Sequence, residues 1–214
     1  MMKGRDSVEE IVLKSEQLKK DIYAMLKKDY DEELYKYELK AIKKITLRKY
    51  NFLEQENTYY FQEIELFENL ESISFSQFNI SKEIIECVNK CKSLKSITFN
   101  HCKFDVEDEI NLDIESLYLT YSDINNMVNF KDCDKIKNIE IIECGEIDVK
   151  EAQVLSGIKK IEIYNSKIVN AMDLVSVEGL EVLKLDGSIL DEEIENSLKD
   201  NIQYSHKEKF YLIP

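Results

Sequence analysis

Between Ile42 and Leu190 the apolar residues of this chain recur in an eleven-residue pattern, at positions 1, 4, 6 and 11, with a small or aromatic residue at position 9. The seven copies are IKKITLRKYNF from Ile42, LESISFSQFNI from Leu70, LKSITFNHCKF from Leu94, IESLYLTYSDI from Ile114, IKNIEIIECGE from Ile136, IKKIEIYNSKI from Ile158 and LEVLKLDGSIL from Leu180. Their starts lie 28, 24, 20, 22, 22 and 22 residues apart, the spacing of a stacked structural repeat. Positions 4 and 6 are two apart and project from one face of a short strand, while position 5 points the other way. One such unit buries too little apolar surface to stand alone, and stacking neighbours completes its core.

The segments around and between the copies carry a different period. From Asp6 to about Lys28, Val8, Ile11, Val12, Leu18, Ile22, Met25 and Leu26 fall three, four and seven apart, which predicts an amphipathic helix with Ser7 and Glu10 as its capping box. With the DEELYKYEL segment, it covers the first apolar layer as an N-terminal helical cap; a docking helix for a partner is the alternative. Ser81 before KEIIECVNK, Asp148 before VKEAQVLSG, Asn170 before AMDLVSVEG and Asp191 before EEIENSLKD predict helical return arms. Gly157 and Gly179 stand where such helices end. The first arm, after Phe52, is the longest, and the third, after Phe104, has room for little more than a turn. Beyond Asp200, NIQYSHKEKFYLIP, with its apolar FYLI, is a candidate terminal strand or strand pair closing the C-terminal edge. The expected organisation is one continuous domain: cap 1–41, repeats 42–190 and C-terminal cap 191–214.

Composition narrows the setting. The 214 residues are 43% hydrophobic, enough for a sizeable core. The N-terminus lacks an apolar signal core, and nowhere do about 18 consecutive apolar residues occur, so neither secretion nor a membrane span is expected. Five cysteines at irregular positions do not read as a disulfide framework, and the expected location is cytoplasmic. The formal net charge of −14 is uneven: residues 1–52 carry 13 basic and 10 acidic side chains, and residues 53–214 carry 16 and 33. A face of that sign repels a phosphate backbone, excluding nucleic acid, and favours a basic protein partner.

The seven in-phase copies resemble bacterial leucine-rich repeats of the irregular sort, of about 22 residues, across residues 42–190. The resemblance implies an α/β solenoid, with a curved parallel sheet on the concave side and helices or turns on the convex side. Position 9 in that family is usually Asn or Cys, bonded to backbone at the turn leaving the strand. Here it is Tyr50, Phe78, Cys102, Ser122, Cys144, Ser166 and Ser188. Ser and Cys partly replace that bonding; Tyr50 and Phe78 do not in the same way, so the first two repeats are expected to be wider or more irregular. The proline-containing repeats of secreted effectors and the signal and wall anchor of internalin-like surface proteins are missing from the sequence, making both subfamilies poor matches. Members of the family are mostly non-enzymatic protein binders that use the concave face, an implication of the resemblance rather than of fold physics.

Positions 2, 3, 5, 7 and 8 point outward. Position 2 reads Lys43, Glu71, Lys95, Glu115, Lys137, Lys159 and Glu181, a column whose opposite charges pair between adjacent strands. In repeats three to six the other positions gather His101, Tyr118, Tyr121, Ile142 and Tyr164 beside Glu140, Glu143 and Glu162. Aromatic anchors rimmed by carboxylates suit a basic protein surface; strands also favour Tyr and Ile wherever they occur. These eight residues are the candidate partner-binding site, with Lys43, Lys44, Arg48 and Lys49 clustered at the other end of the same face.

Catalytic motifs are absent: there is no Gly-rich phosphate loop, no nucleophile elbow and no zinc-protease motif. No catalytic, cofactor-binding or metal residue is expected, and the chain is not expected to be an enzyme. Small, acidic, cytosolic binders of this kind resemble immunity proteins that neutralise a toxin. A generic adaptor or regulatory scaffold is the close competitor, and a thiol or metal-dependent sensor using Cys87, Cys91, Cys102 and His101 belongs to a different class.

Overall fold

The computed structural model of the protein describes residues 9–49, 61–104, 110–124, 130, 133–188 and the backbone of 203–205. The first copy supplies β1 (Lys44–Arg48), the second β2 (Ser72–Ser76) and β3 (Asn79–Ile80), and the third β4 (Ser96–Asn100) and β5 (Lys103–Phe104). The fourth gives β6 (Ser116–Thr120), the fifth β7 (Asn138–Ile142) and β8 (Glu146–Asp148), the sixth β9 (Lys160–Tyr164) and β10 (Lys167–Val169), and the seventh β11 (Val182–Lys184). A last strand, β12 (Gln203–Ser205), follows the repeats.

Eight strands form one parallel sheet in the order β1-β2-β4-β6-β7-β9-β11-β12. The register stacks like on like: Ile45, Ile73, Ile97, Leu117, Ile139, Ile161 and Leu183 form one column. Leu47, Phe75, Phe99, Leu119, Ile141 and Ile163 form the next. Both columns are buried, as the two-residue period requires. This is a leucine-rich repeat solenoid of the α/β class. The expected terminal strand is present as Gln203–Ser205, which pairs with β11; FYLI lies outside the described residues.

Phe78 takes the position-9 slot of the second repeat by joining an aromatic stack instead of a hydrogen-bond ladder. Its ring meets Phe61 and Phe75 edge-on at 5.9 and 5.7 Å, and Phe75 stacks on Phe99 at 5.7 Å. Phe104 and Phe130 extend the series. From the third repeat on, position 9 bonds the turns together as the resemblance implies. The Ser122 hydroxyl accepts from the Cys102 amide at 3.1 Å and lies 3.0 Å from the Phe99 carbonyl oxygen. Ser166 serves Cys144 in the same way at 3.2 Å, and Ser188 serves Ser166 at 3.5 Å.

Three local expectations are corrected. The first helix, α1 (Glu16–Leu26), starts at Ser15 rather than in the first ten residues. Its N-terminal neighbours are drawn into extended pairing, with the Ile11 amide donating to Leu34 at 2.7 Å and that of Lys36 to Glu9 at 2.9 Å. The buried Glu63 carboxylate then accepts the Lys14 and Ser15 amides, while the Ser15 hydroxyl accepts that of Leu18. A side chain 48 residues away thereby sets the helix boundary; Ser7 lies outside the described residues.

The described return arms are helical as expected, and the second correction is where one of them starts, at Glu151 rather than Asp148. The arm after β3 is α3 (Lys82–Asn89), with Ile84, Ile85 and Val88 buried as expected. The arms at Ala152–Val154 and Ala171–Ser176 are 3-10 helices. Thirteen residues separate Ile80 from Leu94, whereas nine separate Asp148 from Ile158. The shorter return favours the larger rise per residue of a 3-10 helix. The third correction concerns the fifth copy, which places Glu146 at the apolar eleventh position. Gly145, at φ 75°, adds one residue to the turn, and Ile147 pairs with Ile168 in the buried slot.

A second helix, α2 (Lys36–Ala41), completes the N-terminal segment, and a Lys28–Glu38 salt bridge of 2.8 Å ties it to the end of α1. α1 packs against β1, so Leu18, Ile22 and Leu39 share one continuous core with Ile45 and Leu47.

Candidate functional site

The open face of the sheet is built from positions 3, 5 and 7, because 4 and 6 are used inward. Along it the chemistry changes by strand: Lys44 and Arg48 on β1, hydroxyl and amide side chains on β2 and β4, then tyrosines, carboxylates and lysines from β6 onward. Tyr118 lies in register beside Glu140, and Glu140 beside Glu162; Ile142 lies beside Tyr164. The structure therefore brings these five residues together across three adjacent strands.

His101, Tyr121 and Glu143 are placed differently from the expectation of an outward strand position. At position 8 the strand has ended, and Gln77, His101, Tyr121, Glu143 and Asn165 all take left-handed backbone, with φ between 49° and 67°. Their amides still continue the ladder, as His101 to Thr120 and Tyr121 to Ile142 at 2.9 Å show. That conformation costs a non-glycine residue on the order of 1 kcal/mol. It turns the three side chains onto the rim at the C-terminal ends of the strands. There the His101 ring stacks on Tyr121 with centroids 4.8 Å apart, and His101 Nδ1 meets Asn100 Oδ1. Glu143 is exposed and accepts from Asn165 Nδ2 at 3.4 Å.

The carboxylates on the sheet face are not equivalent. Glu162 is buried, with 6% of its surface accessible. Lys160 and Lys184 reach it at 2.5 and 2.7 Å, and the Tyr164 hydroxyl donates to it at 3.1 Å. Burial pushes the Glu162 carboxyl upward, but the hydrogen bonds from Lys160, Lys184 and Tyr164 prevail and hold it below its ordinary value. Burial first, then the bond to Glu162, pushes Tyr164 up to about 12. Glu140, directly beside it, makes no hydrogen bond or salt bridge to any described residue. Lys160 and Lys184 are thus part of the site that reasoning from the tyrosine and glutamate columns passed over. Position 3 of the sixth copy carried the signal for Lys160.

The position-2 column behaves as charge spacing predicts, with Lys43–Glu71 at 2.8 Å, Lys95–Glu71 at 3.6 Å and Lys159–Glu181 at 3.1 Å. These exposed pairs are worth ~0–1 kcal/mol each. A cleft of about 620 Å³ at that edge is lined by Lys43, Glu71, Lys95, Asp113 and Lys135. These five pair among themselves, Lys135 with Asp113 included.

The thiols do not converge. Cys91 Sγ faces the Ile64 and Cys87 carbonyls, and Cys102 Sγ faces that of Phe75. Burial pushes the Cys91 thiol up to about 11 and raises those of Cys87, Cys102 and Cys144, the direction that makes a thiol less reactive. Among the described residues no group of three or more His, Cys, Asp or Glu side chains is placed to hold a metal ion. No described helix is long and apolar enough to cross a membrane.

No family model matches the chain, and no curated protein matches it. Solved structures do, and those matched include internalins of Listeria monocytogenes. An internalin, InlF, is similar with a TM-score of 0.56 at 16% identity, covering 92% of this chain and 56% of that one. Internalin C2 gives 0.54 at 12%, covering 95% of this chain and all of that one. InlP gives 0.59 at 12%, covering 90% and 56%. The chain thus spans little more than half the length of two of these three proteins. At such identities the likeness is one of fold, and at that level it corrects the expectation that internalin-like proteins match poorly: strand stacking is shared where sequence is not.

Proposed function

We propose that this chain is a non-enzymatic protein-binding module whose concave face, centred on β6, β7 and β9, receives a basic protein partner. The observation that carries the reading is the in-register patch of Tyr118, Ile142 and Tyr164 around Glu140, half-exposed on the face opposite the two buried columns of the sheet. Tyrosine and isoleucine on an open strand face supply anchor area for a partner. The acidic excess of residues 53–214, 33 side chains against 16 basic ones, favours a partner of opposite sign. The leucine-rich repeat fold supports an interaction role in general, and five free, buried thiols support a reducing, cytoplasmic setting. In this reading residues 1–41 and 191–214 are the caps of the solenoid.

The specific role is that of an immunity protein covering the active site of a basic toxin. Capture of partners on immobilised protein tests the surface. The double variant Tyr118→Ala, Glu140→Lys should lose capture with its circular dichroism unchanged, and retained capture would move the site elsewhere. Co-expression with a toxin encoded by an adjacent gene tests the role, since unrelieved growth arrest removes the immunity reading and leaves the binding module.

A further inference from the structure

The concave face offers two central carboxylates side by side, and only one of them is available. Glu162 is enclosed by Lys160, Lys184 and the Tyr164 hydroxyl, so its charge is already neutralised within the molecule. Glu140 pairs in register with Tyr118 on one side and with Glu162 on the other. It is half-buried and makes no hydrogen bond or salt bridge to any described residue. Two positions along β7, Ile142 stands on the same face, with Tyr164 beside it across β9. Tyr118 and Tyr164, on the strands either side, lie within about 5–8 Å of the carboxylate-bearing backbone.

We infer that Glu140, flanked by Tyr118, Ile142 and Tyr164, is a subsite for one arginine or lysine side chain of the partner. The inference rests on the proposed use of the concave face and names what that face selects. The aliphatic stem of a basic side chain lies along tyrosine and isoleucine surface, and its cationic head meets both the aromatic faces and the carboxylate. Lys160 and Lys184 bound the subsite on the β9 and β11 side, so a second cation placed over Glu162 meets like charge. The selection is therefore for a single basic residue with apolar neighbours, not for a run of basic residues.

A random twelve-residue peptide library displayed on phage and panned on the full chain tests this. Peptides eluted by competition with soluble protein should carry Arg or Lys at one fixed position next to apolar residues. Selection on Glu140→Gln should lose that preference, and selection on Glu140→Lys should replace it with Asp or Glu. Binding of the selected peptides to Glu140→Lys should fall at least tenfold. Peptides that lose binding to Tyr118→Ala yet show no basic preference, or bind wild type and Glu140→Lys equally, would overturn the subsite and leave the concave-face reading standing. Peptides indifferent to Tyr118→Ala as well would overturn both.

Discussion

At the scale of single residues, the consequential finding is that two glutamates in one column sit in opposite surroundings, Glu162 buried between two lysines and Glu140 half-exposed without an ion pair to any described residue. Glu162 is structural. Its folded proton affinity is lower than in the unfolded chain, so its contribution is fully present above the ordinary value of 4.5 and is lost as pH falls through the lower folded value. Tyr164 works at the other end of the scale. Its folded state keeps a proton that the unfolded chain releases near 10, so stability declines as pH rises from 10 to about 12. Glu162→Gln leaves Lys160 and Lys184 sharing a site without its anion, and should cost about 2 kcal/mol at pH 7. Urea unfolding at pH 7 and at pH 3 checks this: the gap between wild type and variant should narrow at the lower pH. An equal gap at both would mean that packing, and not the carboxylate charge, is what Glu162 supplies.

At the scale of elements, the turn that follows each strand is the repeated device. From the second copy to the sixth position 8 goes left-handed, from the third on position 9 ties neighbouring turns through Ser or Cys, and in four of the copies a short second strand begins. Gly145 is an extra residue in the fifth turn, and its carbonyl accepts the Lys167 amide at 2.7 Å, the bond that Phe78 and Cys102 accept from Lys103 and Asp123 in other copies. Without Gly145 the copy would read IKNIEIIECEI, restoring Ile147 to the apolar eleventh position. Deletion of Gly145 should therefore leave the fold intact and change stability by no more than about 1 kcal/mol, the scale of a relieved or added turn strain. Thermal unfolding followed by circular dichroism measures it, and a loss of several kcal/mol would show that the bulge, and not the pattern, holds Ile147 in place. The arms teach a related lesson. Their apolar residues mark which side faces the core, but whether eight residues coil as α-helix or six as 3-10 follows from the distance to be returned. That distance is visible only as a difference in repeat length.

At the scale of the whole molecule, one core runs from Leu13 to Leu185 and includes Cys91, Cys102, Cys133 and Cys144, while Cys87 is buried on α3. A continuous core of this kind should open as a unit, so thiol labelling in rising urea should follow the loss of circular dichroism. Labelling of one cysteine well ahead of that transition would instead mark a separately opening end, as stacked repeats permit. The solenoid was legible from local pattern alone: the strand positions, their inward columns, the charge-paired position-2 edge and the small side chains at position 9 from the third copy on. These follow from a two-residue strand period and a repeat length, both local properties that survive without knowledge of neighbours. The start of α1 was not legible, because Glu63 imposes it from 48 residues away. Nor was the division of the Tyr/Glu patch into sheet face and rim, or the choice of Glu162 over Glu140 as the neutralised carboxylate. The columns place Lys160 and Lys184 near both glutamates, and only the packed side chains, competing for one buried position, decide which charge is enclosed and which stays half-exposed on the open face.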